Sequence, residues 1–468
     1  MLLATGQAQA LTYVETPSLA ADVAAGKLPP VDQRVPTDPA IEHGRPGQPG
    51  GEMRVLIGSP RDTRLLAIIG YARLMAYTPS YDLVPDMLES VDQKEQRIFT
   101  LHLRPGHRWS DGEPFTAEDF RYWWEDVANN PMISPTGPPV ALLHQGEKPK
   151  VEILDPLTVR YSWSEPMPTF LQLLASPTPV TIYRPAHYLK QFHAKYADKA
   201  KLAALVADSH TRNWAQLHNR MDNPIRNDNP DLPTLDPWML TTKPPSERFL
   251  FVRNPYYYRV DREGRQLPYI DRINAAVADS KIIPVKVGAG EADLQSRYLR
   301  FDNYTFLKAG EARNGYRVRL WKTGYGSQLA LYPNLNVTDP VWRTLLRDVR
   351  FRRALSLAID RHEINNVVYY GLALEGQNTM LPDSPLYSDR NREAWAAFDP
   401  AQAKRLLDEI GLTKRNGEGI RLLPDGRPLQ IVVETAGSVA EEGDVLELIR
   451  DNWREVGIKL FAKPLQIE

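Results

Sequence analysis

The 468-residue sequence predicts an α/β protein of two lobes with mixed sheets. Three observations carry that expectation. Short stretches of alternating hydrophobicity are interleaved with segments of helical period, in no regular βαβ array. No internal repeat is evident. The length exceeds what one hydrophobic core usually serves.

The first 51 residues split into two parts. Ala8-Gln9-Ala10 has the A-x-A form that ends a secretory signal, so residues 1–10 are read as a signal-peptide remnant. Residues 11–51, rich in Pro, Gly and Ala, are expected to form an extended arm. A first strand is predicted at Met53 to Ile57. Alternation then places a half-buried strand over Arg97 to Leu103, with Phe99, Leu101 and Leu103 on one face. Thr116 and Asp119 make a capping-box pattern, and Phe120, Trp123, Trp124 and Val127 follow at helical spacing. Val151 to Trp163 alternates again, Lys195 to Leu217 reads as helix, and Pro/Asn/Asp-rich loops fill Asp222 to Pro237. The main boundary is expected near Asp279, giving a first lobe over residues 52–279 and a second over 280–468.

In the second lobe a strand is read at Arg317 to Trp321. Phe351, Ala354, Leu355, Ala358 and Ile359 form a helical stripe. Asp360 caps the next helix and Gly371 ends it. Asp399-Pro400 opens a further helix, with Ala403, Leu406, Leu407 and Ile410 facing inward and Gly411 stopping it. Pro424-Asp425-Gly426 reads as a turn. A last helix over about Val445 to Val456 leads through Gly457 into a strand at Ile458 to Ala462.

Composition narrows the function classes. Lys and Arg total 57 against 58 Asp and Glu, a formal charge of −1, which gives no electrostatic case for nucleic acid. The chain has no cysteine, which excludes thiol chemistry and disulfides. No apolar run approaches the ~18 residues of a membrane span. No G-x-S-x-G, H-E-x-x-H or Walker-type pattern is present. Gly288-Ala289-Gly290 begins like a dinucleotide loop, but Asp293 stands where the third glycine belongs. His187 and His193 are too far apart in sequence to share a helical face as a metal pair. No catalytic residue, metal or cofactor is therefore assigned.

Several blocks carry a resemblance. Leu83-Val84-Pro85-Asp86-Met87-Leu88-Glu89-Ser90, Phe99 to Pro105 and Trp109-Ser110-Asp111-Gly112-Glu113-Pro114-Phe115-Thr116-Ala117-Glu118-Asp119 come first. Gly290-Glu291-Ala292-Asp293-Leu294, Arg350 to Arg361, Asp399-Pro400 to Leu407 and Val456-Gly457-Ile458 follow in order. Together they resemble the family 5 extracellular solute-binding proteins, the dipeptide and oligopeptide-binding type of ABC importers. Arg253-Asn254-Pro255-Tyr256-Tyr257-Tyr258, Arg265 to Asp271, His187-Tyr188-Leu189 with His193, and Glu15-Thr16-Pro17 resemble a branch associated with oligosaccharides. Those last blocks read equally well as loop and packing residues of one subfamily.

The resemblance implies a two-lobed fold of the periplasmic-binding-protein type with a ligand cleft between lobes. It implies a monomer in the periplasm that binds a peptide or oligosaccharide and delivers it to the ABC permease subunits. Family members continue past the V-G-I strand, so the second lobe is expected to be incomplete here. Ser59, Arg61 and Asp62, in the loop after the first strand, are assigned to the ligand because open α/β sheets bind at that end. Tyr325, Gly326, Ser327 and Gln328 follow a strand and join them; Trp109 and Trp238 are placed as sugar-stacking platforms. The competing readings are a secreted glycan- or peptide-processing enzyme and a receptor-type sensor. The first would need a convergent acid/base pair or a metal, the second a fused membrane segment.

Overall fold

The computed structural model describes residues 11–178, 180–223, 226–435 and 440–465. The A-x-A triplet and the signal remnant expected at 1–10 lie outside them. The chain divides into two compact units. Unit 1 runs to Leu299 and takes back Gly310–Tyr316. Unit 2 comprises Arg300–Ala309 and the chain from Arg317 onward. The chain past Asp279 stays with unit 1 as far as Leu299. Asp293 holds it there through both the amide (2.7 Å) and the guanidinium (2.7 and 3.0 Å) of Arg54.

Unit 1 contains two four-stranded sheets. In one, the strands order as Glu52–Ile57, Arg272–Val277, Arg248–Arg253 and Trp238–Leu240. The first pair is parallel and the other two are antiparallel. The strands beginning at Glu52, Arg272 and Trp238 therefore all run the same way. Their inward residues Met53, Ile57, Phe249, Phe251 and Ile273 form one core. The second sheet, ordered Leu88–Lys94, Ile98–Leu103, Thr158–Ser162 and Lys150–Asp155, is antiparallel throughout. Phe99, Leu101 and Leu103 face the largest core, as their alternation predicts.

Local capping signals decide most helix starts. Thr116 and Asp119 close a capping box on Ala117–Arg121, after which the coil widens to a π-helix over Tyr122–Ala128. Instead of one helix between Lys195 and Leu217, two form, Lys199–Asp208 and Trp214–Met221. Asn213 caps the second by accepting the Gln216 amide.

The expected extended arm is corrected. It carries the helices Ala20–Ala24 and Val31–Arg34, and a strand Ala40–Glu42 that pairs in parallel with Arg259–Asp261. Fully buried Arg34 reaches Glu15 at 2.6 Å and the Pro255 carbonyl at 3.0 Å. Gly264 (φ +78°) passes so close to the arm that a Cβ would overlap the Thr12 carbonyl.

Unit 2 packs the helices Pro340–Arg347, Val349–Leu357, Arg361–Tyr369, Pro400–Glu409 and Ala440–Glu455 with a two-stranded parallel sheet of Gln430–Thr435 and Lys459–Pro464. Asp360 and Asp399 cap their helices by accepting the amides of Glu363 and Gln402 at 2.9 and 2.8 Å. Arg317 to Trp321, read as a strand, forms none, and Leu320 and Trp321 are exposed. Alternation alone does not make a strand when no neighbour supplies the ladder bonds.

Candidate functional site

The parallel strands of the first sheet point their carboxyl ends to one side, where the loop after Ile57 leaves; a second loop, Asp222 to Pro237, runs into the strand Trp238–Leu240 from its amino end. After Ile57 the chain turns through Gly58 and Ser59 into a single 3-10 turn, Pro60–Arg64. Asp62, 3% exposed, organises this loop. Its carboxylate accepts the amides of Gly58 (3.0 Å) and Ser59 (3.1 Å) and the Tyr298 hydroxyl (2.6 Å). Arg297 adds an ion pair at 3.2 Å and lies over the Tyr298 ring. Gly58 is required because a Cβ there would sit 2.5 Å from that ring. Of the three residues assigned to the ligand here, Asp62 and Ser59 are therefore spent on the loop itself, the latter in the capping box. Arg61 remains exposed, with no ion pair to a described residue.

The second loop joins the first through Thr63, whose hydroxyl donates to the Arg226 carbonyl at 3.0 Å. Beyond it opens a cleft of about 400 Å³ lined by Ser110, Asp111, Asn223, Asn227, Asn229, Asp231 and Thr234, with Met239, Leu240 and Thr241 at the end of their strand. Leu232, Pro230 and Pro233 give it apolar wall. Most of these residues come from Asp222 to Pro237, a stretch legible in sequence only as loop. Its density of Asn and Asp was the available signal, but such residues mark turns as readily as sites.

The Asp111 end of the cleft is built from the Trp109-to-Pro114 turn. The Trp109 amide donates to the Glu113 carbonyl at 2.8 Å and the Ser110 amide to the Thr234 carbonyl at 3.0 Å. Asp111 meets His187 Nε2 at 2.8 Å. Burial works against the charge on each partner. Their mutual hydrogen bond nevertheless holds the Asp111 carboxyl below its ordinary range and raises the His187 imidazole. Beneath them, Asp119 accepts the Thr116 and Ala186 amides at 3.0 Å and the Trp109 indole at 3.2 Å. Burial pushes the Asp119 carboxyl up to about 6, against those three donors.

Of the two tryptophans placed as stacking platforms, Trp109 is corrected and Trp238 stays partly open. Trp109 is 3% exposed and packs edge-on to Phe115, so its faces are closed to a sugar. Trp238 is half-buried, and its indole donates to the Ile270 carbonyl at 2.9 Å. In unit 2, Gly326 does allow a close backbone approach, but to the chain itself: a Cβ would overlap the Thr379 carbonyl. Ser327 Oγ donates to the Leu329 carbonyl at 2.7 Å. Tyr325, at 74% exposure, and Gln328 present their side chains to solvent. Among the described residues no group of three or more His, Cys, Asp or Glu is placed to hold a metal ion.

The sequence pattern of the bacterial extracellular solute-binding proteins, family 5 Middle, matches residues 82–466. A periplasmic alpha-galactoside-binding protein of Rhizobium meliloti (strain 1021) is 26% identical, over 95% of this chain and 66% of its own length. The periplasmic oligopeptide-binding protein OppA of Escherichia coli (strain K12) is 25% identical, over 79% of this chain and 63% of its own. The chain thus spans about two thirds of the length of the curated relatives it matches. A solved oligopeptide-binding protein OppA superposes with a TM-score of 0.82 at 35% identity, covering 99% of this chain and 73% of that one. The periplasmic binding protein MelB from Agrobacterium fabrum C58, solved with stachyose, shares the fold with a TM-score of 0.62 at 23% identity, covering 97% and 71%.

Proposed function

The chain belongs to the bacterial extracellular solute-binding proteins of family 5; on that premise we propose that it is the substrate-binding component of an ABC-type importer. It captures an oligosaccharide or oligopeptide in the periplasm and passes it to the permease subunits, acting as a monomer and without a cofactor. No reaction is placed at its site. The curated relatives named above are periplasmic binding proteins for an alpha-galactoside and for oligopeptides. No described helix is long and apolar enough to cross a membrane.

The observation that carries this reading is the position of the polar cleft. Met239, Leu240 and Thr241 bring it to the carboxyl end of the strand Trp238–Leu240, and open α/β sheets hold ligands at strand carboxyl ends. Its volume, about 400 Å³, falls within the range of small-molecule sites. Micromolar capture asks for about −8 kcal/mol. Polar groups already fixed by the fold help to supply it, because little ordering remains to be done on binding. Arg61, Tyr325 and Gln328, whose side chains the fold leaves free of ion pairs or open to solvent, are further ligand contacts in this reading.

A thermal-shift screen against stachyose and a series of di- to penta-peptides tests it. A ligand at a hundred times its Kd stabilises the native state by about 2.7 kcal/mol, a readily measured rise in Tm. No response to any member of either series would overturn the reading.

A further inference from the structure

Most side chains that line the unit 1 cleft have committed their polar atoms to the fold. Ser110 Oγ accepts the Thr234 amide, and Thr234 Oγ1 accepts the Asp236 amide, each at 3.0 Å. Asn229 donates to the Tyr188 hydroxyl and the Met221 carbonyl, and accepts the Asp231 amide, all at 3.1 Å. The Thr241 hydroxyl donates to the Leu250 carbonyl at 2.9 Å. Asp111 differs. Its carboxylate accepts from the Glu113 amide at 3.2 Å and from His187 at 2.8 Å. A carboxylate offers roughly four acceptor positions, so about two remain open. The side chain is 41% exposed, enough for a ligand atom to reach them.

Its placement is rigid for an exposed group. Gly112, at φ +93°, adopts a backbone region that favours glycine, and a Cβ there would lie 2.9 Å from the Tyr256 hydroxyl. Ser110, on the other side, exchanges two hydrogen bonds with Thr234. His187 follows Ala186, whose amide is held by Asp119, and Trp109 hangs from the other oxygen of the same carboxylate. The turn and the backbone that carries His187 are thus fixed to one buried anchor, Asp119.

The charged residues that line the cleft are acidic. Among the described residues no Lys or Arg lines it, and its charged lining residues are Asp111 and Asp231. Glu113 stands beside them, and the nearby Arg108 guanidinium is bound to the Gly112 carbonyl at 2.9 Å. An incoming carboxylate would face the two aspartates, while His187 is bonded to Asp111 and Arg226 is paired with Asp228 at 3.1 Å.

We propose that Asp111, oriented by His187, is the specificity-determining acceptor of this cleft: it takes a hydrogen-bond donor from the ligand and rejects ligands that present negative charge at that point. The assignment rests on the reading above that ligand binds at this cleft. The donor can be a sugar hydroxyl or a peptide ammonium. The two separate by salt, because a charge–charge contact weakens with ionic strength and a neutral hydroxyl contact does not.

Isothermal titration of the 468-residue protein with stachyose and with tetra-alanine, at low and at high salt, tests the proposal on the wild type, Asp111→Asn and His187→Gln. Asp111→Asn should weaken the bound probe at least tenfold, about 1.4 kcal/mol, with the Tm of the free protein little changed. His187→Gln should weaken it less and flatten the pH profile of binding between pH 5 and 8, which a merely structural role would not do. A loss confined to stachyose and insensitive to salt assigns the donor as a hydroxyl. A loss with tetra-alanine that shrinks at high salt assigns it as an ammonium. If the wild type binds a probe and both variants bind it within twofold, the proposal is overturned and the importer reading stands. If the wild type binds neither probe, the reading fails and the proposal falls with it.

Discussion

The two units are held together by different means. Among the described residues, the buried polar and charged side chains of unit 2 are Asn365, Arg421 and Asn452; all the others, from Thr16 to Gln266, belong to unit 1. Unit 2 is a helix-on-sheet core of Phe351, Leu355, Leu407, Ile449, Trp453 and their neighbours. Unit 1 threads a network through its core, with Arg34, Arg73, Asp119, His107, His218 and Arg253 all buried. An apolar core tolerates changes that keep volume, whereas a buried polar network fails when one partner goes. Unit 2 should therefore answer to cavities, and unit 1 to lost partners and to pH.

The largest effect expected is in unit 2. Phe351→Ala removes a fully buried ring and should cost about 3–5 kcal/mol in urea unfolding. Phe351→Leu should recover most of that loss. Next, Asp62→Ala in unit 1 leaves two amides, a hydroxyl and a guanidinium without their acceptor and should cost about 2–4 kcal/mol. The near-isosteric Asp62→Asn should recover little, because it cannot serve all four donors. If Asn proves as good as Asp, the contrast between the units is wrong.

A smaller effect separates them by pH. His218 is fully buried, bonded to the Tyr122 hydroxyl at 2.7 Å, and faces His193 and Arg184. Burial, with those two neighbours, lowers its pKa to about 3, and burial lowers His107 likewise. A histidine that stays neutral in the fold but protonates when unfolded withdraws stability as pH falls through about 6.5 toward 3. Buried Asp236, pushed up to about 7, acts in the opposite sense, taking its proton in the fold first and adding stability over the same descent. His218→Phe removes one withdrawing group, so stability should fall less steeply with acid, by at most about 1.4 kcal/mol per pH unit. Peptide-resolved hydrogen exchange between pH 7 and 5 should show the wild-type change in unit 1 peptides. An equal change in unit 2 would refute the division. Smallest of all, Tyr325→Ala should leave stability within about 0.5 kcal/mol, and any loss of ligand binding would then be read as contact and not as folding.

The same contrast explains what could be read in advance. Helix caps are local, so Thr116, Asp360 and Asp399 announced their helices correctly. Strand periodicity is local too, and Phe99, Leu101 and Leu103 face the core as expected. Pairing is not local. Arg317 to Trp321 has a strand's composition but no ladder, and the arm of residues 11–51 found helices and a partner strand in place of extension. The site was half legible for the same reason. The loop after Ile57 was located by topology, yet which of its side chains the fold would consume depended on Tyr298 and Arg297, far along the chain. Trp109 looked available because a motif does not display its own burial. Asp111 was quoted as part of that motif, and nothing in the string revealed that it borders a cleft.

The order in which the chain is made gives a last consequence to the pairing of Glu52–Ile57 with Arg272–Val277. The first strand of this sheet is synthesised with no neighbour, and Arg34 waits for the Pro255 carbonyl, 221 residues downstream. At about 5–20 residues per second that interval is roughly 10–45 s. For most of it Met53 and Ile57 have only Leu66 of their core to pack on, and unit 1 cannot close its main sheet before Val277 is made. The strand Glu52–Ile57 is thus left unpaired while more than two hundred residues are added, an open edge available to chaperones and to aggregation alike.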